Sequence, residues 1–376
     1  MQYRSLTKDN IPVSALGFGC MRFPLLKSGK VGKPDRREAI RMLHYGIENG
    51  INYLDTAYPY HDGASEEIVG RALATGKRRE QVLLATKFPT WEATSQKQLD
   101  RIFHQQLERL RTDYIDAYLL HNLQKAYMPL VEKFKMIEWA EKKRRQGKIR
   151  YVGFSFHDDL PLFKTIIDSH SWDFCQIQYN YVGEQTQAGT AGLKYAASRG
   201  ISVVIMEPLF GGVLANPGGK MAALWQKSRS KPVDLALRWL WDKPEVSIVL
   251  SGMSSMEQTA QNIEIADRAQ PGSLTKAEQA FIERVQKVYR KSMPVACTKC
   301  RYCLPCPASV DIPMNFAYYN DAVAAPESIV LNKTLYGIMP PEHRASHCTA
   351  CGECESKCPQ HLPIRKHLKE VSQLLG

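Results

Sequence analysis

Residues 82–121 read VLLATKFPTWEATSQKQLDRIFHQQLERLRTDYIDAYLLH. A short apolar run, Val82–Lys87, ends on a lysine, and a stretch with Leu99, Phe103, Leu107 and Leu110 at helical spacing follows it. A second apolar run, Ile115–His121, ends on a histidine. Short apolar runs bounded by polar residues read as buried parallel strands, and a spacing of three to four places apolar side chains on one helix face. The unit is a strand, a helix and a second strand. Further strands are predicted at Ser14–Cys20, Asn52–Thr56, Ile149–Phe156, Phe174–Tyr179, Ser202–Glu207 and Val246–Ser251, and a helix at Ile40, Leu43 and Ile47. Strands alternating with helices over about 250 residues predict an α/β fold, a closed (β/α)8 TIM barrel. The rival doubly wound sheet lacks its G-x-G-x-x-G after the first strand.

The C-terminal ends of barrel strands are where chemistry is placed. Asp55 ends the second strand, with Tyr60 just beyond it; Lys87 ends the third and His121 the fourth. Each has an ordinary structural explanation when taken alone: a helix cap, a packed ring, a solvated strand end. Together they are chemically coherent. An ammonium beside a phenol favours phenolate, a carboxylate keeps that ammonium charged, and an imidazole can hydrogen-bond a carbonyl.

Of the ten cysteines, only Cys20 and Cys175 lie before residue 297. The others form two groups, CTKCRYCLPCP (Cys297, Cys300, Cys303, Cys306) and CTACGECESKCP (Cys348, Cys351, Cys354, Cys358). Three cysteines at two-residue gaps wrap one backbone loop around three corners of a cubane, and a fourth before proline reaches another iron. Structural zinc sites instead pair two C-x2-C knuckles across a longer stretch, and each group here is too crowded for that. The second group matches the bacterial ferredoxin run in full, whereas the first has only Leu304-Pro305 before its last cysteine. The region from about Met293 onward resembles ferredoxin-type modules, which implies two [4Fe–4S] clusters. On that pattern Cys297, Cys300, Cys303 and Cys358 bind one cluster, and Cys348, Cys351, Cys354 and Cys306 bind the other. Cys297 and Cys348 stand 51 residues apart; Pro307 and Pro359, 52 apart, and Ile312-Pro313 and Leu362-Pro363, 50 apart, mark an internal repeat close to that period. MNFAYYNDAVAA and PESIVLNKTLYGIM, between the groups, are predicted to be helical.

The segments DTAYPY, SEEIVGRAL, LATKF and YIDAYLLH resemble the aldo-keto reductase family, and the likeness runs from about residue 3 to residue 270. It implies hydride transfer between NADP(H) or NAD(H) and a carbonyl or alcohol substrate. Tyr60 is then the general acid, Lys87 and Asp55 its tuning pair, and His121 the group that positions the carbonyl. It also implies cofactor contacts at Met21, Arg22, Asp55, Ser155, Gln176, Pro208, Leu209, Gly252, Ser254, Gln258 and Asn262. Phe156 departs from the family, standing where its carboxamide-binding Asn lies. Gly252 and Gln258 occupy the places of the Lys and Arg that commonly clamp the 2′-phosphate, which leaves the choice between NADPH and NADH open. Substrate selection is assigned to the loops Pro24–Lys33, Leu123–Met128 and Phe210–Gly219.

These readings divide the chain into a barrel (1–270), a linking helix (271–292) and an iron–sulfur domain (293–376). The 44% apolar and 23% charged composition is that of a soluble globular protein. No run of ~18 apolar residues predicts a membrane span. MQYRSLTKDN has no secretory pattern, so the cytoplasm is the expected compartment. The formal charge of +12 is scattered, with dense runs at Lys77–Arg79 and Lys142–Arg145 where helices end, and nucleic acid is not an expected partner. Nicotinamide moves electrons in pairs and iron–sulfur clusters singly. The clusters are therefore read as structural or sensing. The alternative is a relay to an external carrier such as a ferredoxin or flavodoxin, with a flavin as splitter, although no flavin fingerprint is present.

Overall fold

The computed structural model describes residues 1–7, 9–26, 32–324 and 329–376. Each apolar run becomes a strand. After an antiparallel hairpin, β1 (Tyr3–Leu6) and β2 (Ile11–Ser14), come the eight barrel strands. They are β3 (Leu16–Gly19), β4 (Tyr53–Asp55), β5 (Leu83–Pro89), β6 (Ile115–Leu123), β7 (Ile149–Phe156), β8 (Phe174–Gln178), β9 (Ser202–Met206) and β10 (Val246–Ser251). All pair in parallel in chain order, and β10 closes the ring against β3. The register sets Asp55 beside Ala85, Lys87 beside Leu119 and Ser155 beside Gln176. Parallel pairing requires a crossover between strands, which the helices of the amphipathic stretches supply. The first three are α1 (Arg36–Glu48), α2 (Ala64–Leu73) and α3 (Gln96–Leu110). Asp35 caps α1 and Ser95 caps α3, each accepting a hydrogen bond from a backbone N–H of the first turn.

The hairpin was not anticipated from the sequence. Its Leu6 and Val13 are fully buried and join Tyr53, Ala85, Phe174 and Ile248 in one apolar cluster. Tyr53 and Phe174 begin their strands, so the hairpin plugs the N-terminal end of the barrel and leaves the other rim for chemistry. The basic run at residue 79 is also not simply solvated. Arg79 pairs with buried Asp116 at 2.7 Å and lies 4.1 Å from the centre of the Tyr114 ring.

The chain forms two compact units, Met1–Pro208 with Leu237–Ser273, and Leu209–Ala236 with Leu274–Gly376. In the second, a helix over Lys276–Ser292 starts with a capping box between Thr275 and Glu278. Helices follow at Ile312–Ala324, Ile329–Ile338 and Ile364–Leu375, so both inter-cysteine stretches are helical as predicted. Residues 326–328 of the second stretch, and 27–31 of the first predicted substrate loop, lie outside the described residues. The core of this unit gathers Val295, Phe316, Ile364, Leu368 and Val371 with Cys303, Cys354 and Cys358. Gly211, at φ +65°, lets the segment after Leu209 come against the first cysteine group; a Cβ there would lie 2.4 Å from the Thr298 carbonyl oxygen. No described helix is long and apolar enough to cross a membrane.

Candidate functional site

The four rim residues named from sequence converge. Lys87 is fully buried, and its ammonium donates to Asp55 Oδ1 at 2.5 Å, the Thr56 carbonyl at 2.8 Å and the Tyr60 hydroxyl at 3.5 Å. Asp55 Oδ2 is enclosed and has no protein hydrogen-bond partner among the described residues. The Tyr60 and His121 rings meet edge to face, 5.9 Å between centres. Trp91 lies 5.2 Å from His121 and 6.0 Å from Tyr127, forming an aromatic wall to which the Leu123–Met128 loop contributes.

Burial sets the electrostatics. It pushes the Asp55 carboxyl up against the opposing pull of Lys87, and it pushes the Lys87 ammonium down against the support of Asp55. Burial, with the charges of Lys87 and His157 adding to it, holds the His121 imidazole well below the ordinary histidine range. His121 is therefore neutral at pH 7, with a ring N–H to donate and a ring nitrogen to accept.

The expected cofactor contacts fall into clusters. Ser155 and Gln176 are neighbours across β7 and β8, both about 1% exposed, and Gln176 Oε1 is enclosed without a partner among the described residues. At the end of β10, Ser254 Oγ donates to the Arg22 carbonyl at 2.7 Å, and the Ser254 N–H donates to Gln258 Oε1 at 2.8 Å. The Arg22 side chain lies along Gly252, where a Cβ would be 3.1 Å from Arg22 Cδ, and its guanidinium is 3.8 Å from Glu207. Asn262 is turned inward and donates to Ser251 Oγ at 2.9 Å. Met21 precedes Arg22 and is half-buried, and Pro208 follows Glu207. Leu209 opens the second unit.

Two residues at this rim were missed. Asn122 has φ +59° where the pairing of β6 with β7 slips by one residue; its backbone N–H donates to Ser155 Oγ at 2.7 Å, and its Oδ1 is enclosed without a partner among the described residues. An asparagine directly after a strand-end histidine was the available signal, because asparagine tolerates the left-handed region. Glu66 is completely buried behind Lys87, and an acidic residue on the apolar face of SEEIVGRAL was its signal.

In the second unit the cysteine groups repeat each other in backbone detail. Lys299 and Arg301 have positive φ, as do Ala350 and Gly352 at the matching positions. The Lys299 N–H donates to Cys297 Sγ and the Ala350 N–H to Cys348 Sγ, both at 3.4 Å. Beyond the fourth cysteines, Ser309 and His361 again share positive φ, and each N–H returns to the carbonyl of that cysteine. The shorter first group therefore keeps the same wrap. Cys297, Cys300, Cys303 and Cys358 line one cavity, together with Phe316 and Leu362. The Cys354 thiol, pushed up to about 11 chiefly by burial, feels Glu355 and then Cys348 and Cys306. Each first trio thus has the fourth cysteine of the other group as its neighbour. Among the described residues no three His, Cys, Asp or Glu side chains converge tightly enough to hold a single metal ion. Four cysteines lining one cavity are the donor set that a [4Fe–4S] cubane takes.

Residues 15–283 match the family described as Aldo/keto reductase family. The chain belongs to the aldo/keto reductase family. Residues 296–362 of this aldo/keto reductase match a 4Fe-4S dicluster domain, so its helical C-terminal region carries an iron–sulfur domain. Curated relatives include the uncharacterised oxidoreductase YrpG of Bacillus subtilis, 28% identical over 71% of this chain and 91% of its own length. L-galactose dehydrogenase of Arabidopsis thaliana is 28% identical over 70% of this chain and 87% of its own length. Among solved structures, the holo form of aldo-keto reductase AKR11C1 from Bacillus halodurans is 28% identical, with a TM-score of 0.64 over 76% of this chain and 96% of its own. An aldo-keto reductase from Klebsiella pneumoniae in complex with NADPH is 25% identical, with a TM-score of 0.62 at the same coverages. The enzyme class follows: this aldo/keto reductase is an oxidoreductase.

Proposed function

We propose that the enzyme moves hydride between NADP(H) or NAD(H) and a small carbonyl or alcohol substrate at the Asp55–Tyr60–Lys87–His121 rim. The observation that carries this is the Lys87 ammonium, held out of water between Asp55, the Thr56 carbonyl and the Tyr60 hydroxyl. A bound nicotinamide supplies or accepts the hydride at the carbonyl carbon. Tyr60 gives its proton to the carbonyl oxygen, and the fixed Lys87 charge stabilises the negative charge left on the phenol oxygen without reorganising. Asp55 keeps Lys87 charged in a site that would otherwise favour its neutral form. Neutral His121 donates a hydrogen bond that aims the carbonyl at Tyr60.

Ser155 and Gln176 are the residues we assign to the nicotinamide carboxamide, with Asp55 and Met21 bordering the same rim. Arg22, Gly252, Ser254, Gln258 and Asn262 are assigned to the adenosine end, and Pro208, just after β9, to the stretch between. The NADPH-bound Klebsiella pneumoniae relative supports a nicotinamide dinucleotide.

The C-terminal domain is assigned two [4Fe–4S] clusters with crossed ligation. Cys297, Cys300, Cys303 and Cys358 hold one; Cys348, Cys351, Cys354 and Cys306 hold the other. Bound clusters supply one-electron chemistry, which the hydride site does not use, so a structural or sensing role is the simpler one. The exposure of Cys351 favours a second reading, electron exchange with a ferredoxin or flavodoxin at the protein surface through a flavin splitter. Thiols kept reduced for ligation suit the cytoplasm.

The test is Tyr60→Phe in anaerobically purified enzyme, assayed with NADPH and NADH against 4-nitrobenzaldehyde and methylglyoxal. Reduction should vanish while nicotinamide fluorescence still reports binding. Full activity in this variant overturns the assignment.

A further inference from the structure

We infer that Glu66 and Arg109 are positioning residues for Tyr60 and Lys87, forming a strut that fixes the loop and the strand from which these two residues approach each other. The inference rests on the reading of Tyr60 and Lys87 as the reacting pair.

Glu66 lies in the first turn of α2 with none of its side chain exposed. Its Oε1 accepts from Thr86 Oγ1 at 2.7 Å and from Gln106 Nε2 at 2.9 Å, and its Oε2 accepts from Arg109 at 3.2 Å. Gln106 Nε2 also donates to the backbone carbonyl of Lys87 at 3.0 Å, while Gln106 Oε1 accepts from the Tyr118 hydroxyl at 2.7 Å. The carboxylate is thus bound to Thr86 directly and to Lys87 through one amide. That is the strand half of the strut.

Arg109 supplies the loop half. Its Nη1 donates to the Tyr58 carbonyl at 3.4 Å, and its guanidinium sits 4.4 Å from the centre of the Tyr58 ring. It also fills the space beneath Gly63, where a Cβ would meet Nη1 at 2.9 Å. Between Tyr58 and Gly63 the backbone is unusual. His61, Asp62 and Gly63 are three consecutive left-handed residues, with φ of +52°, +55° and +87°. Non-glycine residues in that region cost of order 1–3 kcal/mol each and persist where surrounding contacts over-determine them. Tyr60 is carried on this strained segment, and Arg109 grips both of its ends.

An ion pair with one buried and one half-buried partner is a poor device for stability alone. What this one provides is direction: one guanidinium nitrogen, Nη1, reaches both the carboxylate that holds the neighbouring strand and the Tyr58 carbonyl, while the planar group lies against the Tyr58 ring. The Lys87 ammonium faces Asp55 from β4, Cys20 from the end of β3, Tyr60 from the loop, His121 from β6 and Glu66 from α2. Removing the Glu66 charge weakens support for that ammonium.

Two variants test this in the full-length, cluster-loaded enzyme, with NADPH and 4-nitrobenzaldehyde as probes. Glu66→Gln keeps the shape and the acceptor for Thr86. It should lower kcat by about 10- to 100-fold, the scale of a ~1 Å misplacement. Nicotinamide affinity should stay within about twofold, and the alkaline limb of the kcat profile should move to lower pH, because Lys87 sheds its proton sooner. Arg109→Lys keeps the charge but loses the planar guanidinium that lies against the Tyr58 ring; it should lower kcat while leaving that limb in place. Folding is checked by urea midpoint, and Arg109→Lys carries the test if Glu66→Gln does not fold. Wild-type kcat and pH profile in the folded variants overturn the inference. Full activity in Tyr60→Phe, or an inactive wild type, overturns the underlying reading instead.

Discussion

Replacing Asp55 by asparagine keeps the shape of the side chain and removes its charge, which leaves Lys87 as an unpaired buried cation. At the 2.5 Å separation of the pair, an effective dielectric of about 20 gives an attraction of about 6–7 kcal/mol. Relief from desolvating the carboxylate returns part of this, and one-sided removal of a buried pair typically costs about 3–5 kcal/mol. A ceiling also applies. Lys87 can escape by losing its proton, and moving from an ordinary value of about 10.4 to pH 7 costs about 5 kcal/mol at about 1.36 kcal/mol per pH step. The expected loss at pH 7 is therefore about 3–5 kcal/mol, read from urea unfolding of the full-length protein. It should shrink as pH rises toward 10, because the unfolded chain then holds a proton on this lysine that the folded variant has released, and stability rises wherever the unfolded state binds more protons. In a Lys87→Met background the same Asp55→Asn change should cost nothing or stabilise, since it leaves no stranded cation and relieves a stranded carboxylate. A loss below about 1 kcal/mol in the wild-type background, or equal losses in both backgrounds, would refute the account of the pair.

Two other predictions concern the cysteines and the histidine. Cys306→Ala and Cys358→Ala should each reduce bound iron by about half, but at different sites. Adding Cys351→Ala to Cys306→Ala should then remove little more, whereas adding Cys300→Ala should remove the rest; the opposite pattern rejects crossed ligation. For His121, the unfolded chain takes up a proton as pH falls through about 6.5 while the buried ring stays neutral, so the fold loses stability toward acid. His121→Asn should flatten the fall in urea midpoint between about pH 7 and pH 5, and identical acid slopes in the two proteins would contradict this.

The barrel was legible because strands buried on both faces are continuous apolar runs, and β7 and β10 begin and end where the sequence placed them. The rim residues were legible because the same pattern places strand ends closely: β4 ends on Asp55, while β5 and β6 run on to Pro89 and Leu123, past the expected ends at Lys87 and His121, without moving those residues from the rim. The N-terminal hairpin was hidden by its brevity; four-residue strands around polar turns give no lasting period. Asn122 and Glu66 were hidden for another reason. Their importance lies in contacts with Ser155, Thr86, Gln106 and Arg109, which are distant in sequence and leave no local pattern. The cysteine repeat was visible in spacing, but the matched left-handed residues at Lys299 and Ala350 were not, since neither lysine nor alanine signals that conformation.

Cys358 shares a cavity with Cys297, Cys300 and Cys303. A nascent chain that has emerged only as far as the first cysteine group has three walls of that cavity and lacks the fourth until some fifty more residues have followed. On the crossed ligation proposed above, the half that holds Cys297, Cys300 and Cys303 cannot be finished until the ribosome has made Cys358. Loading of the two halves is then a late and joint event in biosynthesis, and a protein truncated just before Cys358 should forfeit the earlier half while still holding every cysteine of the later one.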